Sequence, residues 1–247
     1  MSIAYVRLES FRQMKNARTL IFSLAVPVVM LFAFGGAYGG TGEIDAVTHL
    51  PWIVVTTIQM AAYGGMIGAL SQSFNIVTER SLGWNRQLRI TPLTGTGYLV
   101  SKVVTALLVA LFTIVVVILV SIVFFHPDLG AMNWIAAAGA IWLGVLPFTL
   151  IAIVIGQFAK PEYAQPMFTA VFLFFSLLGG LWVPLQILPS WVANVAQIVP
   201  SYWLNRVGQM GAHLSGDALT PGLVLLGWTV VLGVFIVWRY RRDAARS

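Results

Sequence analysis

No cysteine occurs anywhere in the 247 residues. This removes disulfide frameworks, thiolate metal sites and cysteine nucleophiles together, and leaves redox chemistry nothing to work with. Charge is almost as scarce: 9% of residues are Asp, Glu, Lys or Arg, against 59% hydrophobic and a mean hydropathy of +0.88. That balance cannot coat a soluble domain. The histidines, His49, His126 and His213, stand far apart in sequence and lack a carboxylate at metal-ligand spacing. HExxH, GxSxG and GxxxxGK[ST] do not occur. The GxG at Gly95 to Gly97 lies beside Pro92 with no third glycine and no strand before it, so it reads as turn material. With no nucleotide fingerprint the chain is not expected to hydrolyse ATP, and with almost no charge in its apolar runs it offers no proton or sodium relay.

What is present is a succession of membrane-length apolar runs. Residues 1–18 mix Ile3, Tyr5, Val6, Leu8, Phe11 and Met14 with Arg7, Arg12, Lys15 and Arg18, a pattern that predicts an interfacial helix lying on the membrane surface. The first apolar run starts only after Arg18, is longer than a signal-peptide core and ends without an Ala-x-Ala site, which predicts a retained N-terminus. Spans are expected at 19–38, 50–74, 98–125, 134–158, 167–183 and 222–238, each near the length needed to cross a hydrocarbon core of about 30 Å. Pro27 and Pro147 are expected to kink their helices rather than end them. The segment 184–221, with Pro184, Pro189, Trp191, Pro200, Tyr202 and Trp203, is too long for a tight turn and too apolar for a free loop. It predicts an extracellular re-entrant hairpin with aromatic anchors. The fold class is therefore all-α integral membrane, one domain over 1–247.

The net charge of +6 does not point to nucleic acid in so apolar a chain; basic residues here set topology and face anionic lipid. In the six-span plan, Arg7, Arg12, Lys15, Arg18, Arg80, Arg86, Arg89, Lys102, Lys160, Arg239, Arg241, Arg242 and Arg246 fall on one side and Arg206 alone on the other. The positive-inside rule then places both termini in the cytoplasm.

The segment 78–93 reads Thr-Glu-Arg-Ser-Leu-Gly-Trp-Asn-Arg-Gln-Leu-Arg-Ile-Thr-Pro-Leu and is followed by Tyr98 and Lys102. It resembles the cytoplasmic loop of ABC-2 type transporter permeases: an acidic-basic pair, a glycine, a short leucine-containing helix, Thr-Pro-Leu, then a tyrosine and a lysine entering the third span. Gly179-Gly180-Leu181-Trp182-Val183-Pro184, Leu188-Pro189-Ser190-Trp191 and Ile198-Val199-Pro200 likewise resemble that family's outer hairpin. Physically, a short amphipathic helix over 79–91 would present Trp84, Leu88 and Ile90 to a partner's groove while Arg86 and Arg89 meet acids at its rim. The competing reading of the same residues is a solvated basic loop.

The resemblance implies a non-catalytic membrane subunit working with two copies of a cytoplasmic ATP-binding subunit, where ATP and Mg would be held, and with a second permease subunit of the same or a homologous chain, in a bacterial plasma membrane. Glu79, Arg80, Gly83, Trp84, Arg86, Leu88 and Arg89 would couple the two kinds of subunit. The expected cargo is a hydrophobic or amphiphilic compound, such as a drug, an antibiotic or a lipid-like molecule, moved outward; a polysaccharide or lipid exporter of the same superfamily is the near alternative. A membrane protein that only recruits partners through its basic loop is the alternative of another class. For the route, Gln59 with Tyr63 one turn later shares a face of the second span, and Phe168, Phe172, Phe175, Gly179 and Trp182 form an aromatic stripe on the fifth.

Overall fold

The computed structural model describes residues 3–15, 17–38, 44, 45, 48–83, 95–182, 189–214 and 219–244. Among them the regular structure is helical: α1 (Ile3–Met14), α2 (Ala17–Tyr38), α3 (Trp52–Leu70), α4 (Gln72–Ser81), α5 (Gly95–Phe125), α6 (Ala131–Gly144), α7 (Leu146–Phe158), α8 (Pro161–Leu178), α9 (Ser190–Ala196), α10 (Pro200–His213) and α11 (Leu219–Ala244). Among the described residues, four runs are long and apolar enough to cross a membrane: Trp52–Ser81, Gly97–Phe125, Ala131–Phe158 and Leu219–Arg239. Ser23–Ala37 within α2 is a shorter apolar helix.

The breaks have local causes. Ser71 separates α3 from α4 while its hydroxyl donates to the Gly68 carbonyl at 2.7 Å, a back-bond that bends helices. Pro147 lacks an N–H and sits in the first turn of α7, so the run Ala131–Phe158 turns at Val145. Pro27, by contrast, is carried inside an unbroken α2. The inner turn expected to last to Pro166 is shorter: α8 begins at Pro161, where a proline loses no hydrogen bond, and carries Pro166 inside it.

Helix α3 is the hub, buried from Ile53 to Leu70 on every side. It has no polar face and no large outward face, and its glycines let neighbours approach closely. A Cβ on Gly64 would lie 2.6 Å from Thr113 Cγ2 of α5, and one on Gly65 3.1 Å from Ile114. Thr57 donates its hydroxyl to the Ile53 carbonyl at 2.7 Å and meets Ser121 Oγ of α5 at 2.6 Å. Helix α11 is the opposite case, with Leu223, Leu226, Val230, Val231, Val234 and Val237 exposed along its length, a surface suited to lipid.

Helix α10 runs antiparallel to α6. Leu204 meets Gly144, Gly208 meets Ile141, Gly211 meets the Ala137 backbone and the Ala212 carbonyl accepts from Asn133 Nδ2 at 2.5 Å. Within the segment 184–221, α10 thus packs along half of an apolar run. At its far end His213 Nε2 hydrogen-bonds the Thr48 carbonyl. Helix α9 is held at its C-terminus by two indoles: Trp203 Nε1 donates to the Gln197 carbonyl at 2.7 Å and Trp228 Nε1 to the Ile198 carbonyl at 3.2 Å.

Candidate functional site

At one end of the bundle α1, the C-terminal turn of α4 and the first turns of α5 converge on a buried ion cluster. Lys102, on α5, has no exposed surface. Its Nζ donates to Glu9 Oε1 at 2.6 Å and to Glu79 Oε1 at 2.7 Å. Arg12 Nη2 donates to the same two oxygens, at 3.1 Å and 2.7 Å, and Tyr98 donates its hydroxyl to Glu79 Oε2 at 2.7 Å. Two carboxylates therefore face two cations, and the cluster is formally neutral. Desolvation makes buried ion pairs expensive unless each charge is fully met, and here Glu79 accepts three hydrogen bonds while Lys102 also lies 5.3 Å from the Tyr98 ring centroid. Partial burial alone would lower the Arg12 pKa; the charge of Glu9 and the hydrogen bond to Glu79 outweigh it and hold the guanidinium above its ordinary value.

Helix α1 has an inverted amphipathicity. Glu9, Ser10 and Gln13 are buried against α4 and α5, whereas Leu8, Phe11 and Met14 point outward. Ser10 and Thr105 share a hydrogen bond of 3.3 Å, and Gln13 Nε2 reaches Gln72 Oε1 at 3.5 Å. The apolar exterior and polar interior make α1 part of the bundle's polar base while its outer face suits a lipid interface.

Of the residues singled out for coupling, Glu79 and Arg80 lie not on a separate helix but at the end of α4. Arg80 donates to the Ala159 carbonyl, tying this end to the turn between α7 and α8. Glu79 is turned inward to Lys102. Gly83 closes α4 with φ +73°, a left-handed conformation that a side chain would strain. Trp84, Arg86, Leu88 and Arg89 lie outside the described residues. The cluster thus ties the end of α4 to α1 and α5 at one end of the bundle.

Of the route residues, Tyr63, Phe168, Phe172 and Trp182 pack together. Tyr63 packs against Phe172 and Trp182, with ring centroids 5.3 and 5.7 Å apart; Phe168 stacks on Phe172 at 5.8 Å, and Phe175 meets Phe148 edge-on at 5.4 Å. Gln59 Nε2 donates to the Gly180 carbonyl at 3.3 Å, fixing the turn after α8, and Gly179 closes on Ser201 so tightly that a Cβ would lie 2.5 Å from it. The opposite side of α8 exposes Leu173, Phe174 and Leu177.

Sequence reasoning missed Glu9 altogether and read Arg12 as an interfacial charge. The available signal was an acid buried in a basic segment at i, i+3 from Arg12, which by itself reads as a surface pair; its real partner, Lys102, lies 93 positions away.

Residues 3–209 match the sequence profile of the ABC-2 type transporter family. The chain is also 25% identical over 194 residues, 78% of each protein, to the Bacillus subtilis (strain 168) protein named "Putative transport permease YvfS".

Proposed function

This chain belongs to the ABC-2 type transporter family, whose membrane subunits are generally non-catalytic, and on that premise we propose that it is the permease of an ATP-driven exporter for a hydrophobic or amphiphilic compound. Membership makes the chain a membrane-embedded transport subunit and implies an ATP-binding partner. The proposal adds the arrangement. Two permease subunits, alike or homologous, stand in a bacterial plasma membrane over two ATP-binding subunits that hold ATP and Mg. Each permease forms a single domain over 1–247 with six spans, α9 and α10 re-entering from outside, and both termini in the cytoplasm.

The observation that carries this reading is the neutral buried cluster of Glu9, Arg12, Glu79 and Lys102, which joins the end of α4 to α1 and α5. A partner pressing on Trp84, Arg86, Leu88 and Arg89 would act through Glu79, Arg80 and Gly83 on α4, and the cluster would pass that displacement to α1 and α5 together. Because α4 continues α3 through Ser71, the same movement reaches Gln59 and Tyr63. The packed aromatics Tyr63, Phe168, Phe172, Phe175 and Trp182, with Gly179 as the close-packing point, offer an apolar path that opens when α3 and α8 separate. Two bistable arrangements of such a junction suffice for alternating access.

The test is ATPase turnover of the purified complex of this chain with its ATP-binding subunit. Native protein is expected to change turnover and to respond to an apolar cargo; Trp84→Ala with Arg86→Ala is expected to abolish the change while the chain stays folded. A double variant that couples normally, or failure of any ATP-binding subunit to associate, sinks the coupling reading and favours a partner-recruiting protein.

A further inference from the structure

A second charged site lies where two apolar runs end together. The run Ala131–Phe158 and the run Leu219–Arg239 bring Phe158 beside Phe235, with ring centroids 6.2 Å apart, and Phe235 lies 6.3 Å from Trp238. Two guanidinium groups are seated on this chain of rings: Arg239 lies 5.3 Å from the Phe158 centroid and Arg242 5.6 Å from that of Trp238. Cations over aromatic faces gain from the ring quadrupole and are pre-oriented, so less side-chain freedom remains to be lost on binding an anion. Lys160 is exposed two residues beyond Phe158, Glu162 is exposed in the first turn of α8, and Asp243 follows Arg242 in sequence.

The rings are not a core. Phe158, Phe235 and Trp238 are 44%, 39% and 52% exposed, and the patch is continuous with the outward apolar face of α11 formed by Val230, Val231 and Val234. A ligand that fits must carry a negative charge at the rim and long apolar chains running down toward the middle of the bundle. We propose that this site binds an anionic glycerophospholipid, its phosphate diester held by Arg239 and Arg242 and its acyl chains lying along Phe235, Val234 and Val231. Oppositely charged headgroup and guanidinium pair at the interface, while the apolar contact distinguishes a lipid from a free anion. The inference rests on the membrane-embedded character of the chain and not on the exporter reading, so either stands without the other.

The experiment is native mass spectrometry of the full chain released from mixed micelles containing phosphatidylglycerol and phosphatidylcholine with identical acyl chains. Native protein is expected to retain phosphatidylglycerol selectively. Arg239→Gln with Arg242→Gln should weaken that retention by about 10- to 30-fold, from about 1 kcal/mol per basic residue at a lipid surface, and Arg239→Lys with Arg242→Lys should keep most of it. Millimolar inorganic phosphate should displace nothing. Equal retention of the two lipids, an undiminished preference in the glutamine variant, or displacement by phosphate overturns the proposal. Should the double variant not fold, Arg242→Gln alone, at an exposed side chain, reads the same quantity.

Discussion

Replacing Lys102 by methionine removes a charge while keeping a linear side chain of similar reach. Glu9 and Glu79 are both buried, and their Oε1 atoms share Lys102 and Arg12. After the substitution two buried carboxylates share one cation, and that cation is more than half exposed, its side chain retaining 56% of its surface. Removing one partner of a buried ionic group costs about 3–5 kcal/mol, because the charge left behind is neither solvated nor paired. Adding Glu9→Gln restores one anion to one cation, so the double variant should regain at least about 1.5 kcal/mol, within the usual range for coupled neighbours. Unfolding by sodium dodecyl sulfate titration in mixed micelles, followed through the 9 tryptophans, measures all four corners of the cycle. A Lys102→Met loss below about 1 kcal/mol, or losses that simply add, refutes the claim that these charges form one compensated unit.

Three further predictions use the same unfolding assay. Gly64→Ala should destabilise by about 1–3 kcal/mol through overpacking, since its Cβ would sit 2.6 Å from Thr113 Cγ2, and Thr113→Ser, which deletes that methyl, should recover much of the loss. Gly211→Ala should be at least as harmful and have no side-chain remedy, because the contact at 2.8 Å is Ala137 backbone; Gly139→Ala, facing open space, should be neutral or stabilise by up to about 1 kcal/mol. Trp203→Phe and Trp228→Phe each delete an indole donor to the end of α9 and should each cost about 1 kcal/mol, with proteolysis within 189–199 rising in parallel.

The apolar runs were legible because lipid-length hydrophobicity is a property of consecutive residues, and α5 and the paired α6 and α7 follow it closely. Pro27 does not end α2 and Pro147 falls where its run turns, whereas Pro166, expected before the start of a span, is carried inside α8. These outcomes depend on where each ring falls relative to a helix start, which a lone proline does not state. Glu79, Tyr98 and Lys102 were visible as a motif, but not that they face one another, and Glu9 was invisible because its burial is created by a helix packing onto α5 from far away in sequence. The inward polar face of α1 reverses the pattern expected of a helix on a soluble core, and only the tertiary contact reveals which side is inside. The aromatic stripe was legible as a spacing; its packing on Tyr63 required the fold.

The most direct measurement of the central claim, that the ion cluster links the ATP-binding partner to the membrane bundle, is stimulation of ATPase turnover by this chain with and without Glu79→Gln. Glutamine keeps the shape and removes the charge that Lys102, Arg12 and Tyr98 converge on. The account predicts that the variant still assembles with the ATP-binding subunit and loses the stimulation. A variant that assembles and stimulates like the native chain would contradict it, and would leave the cluster as a fastening of α1 alone.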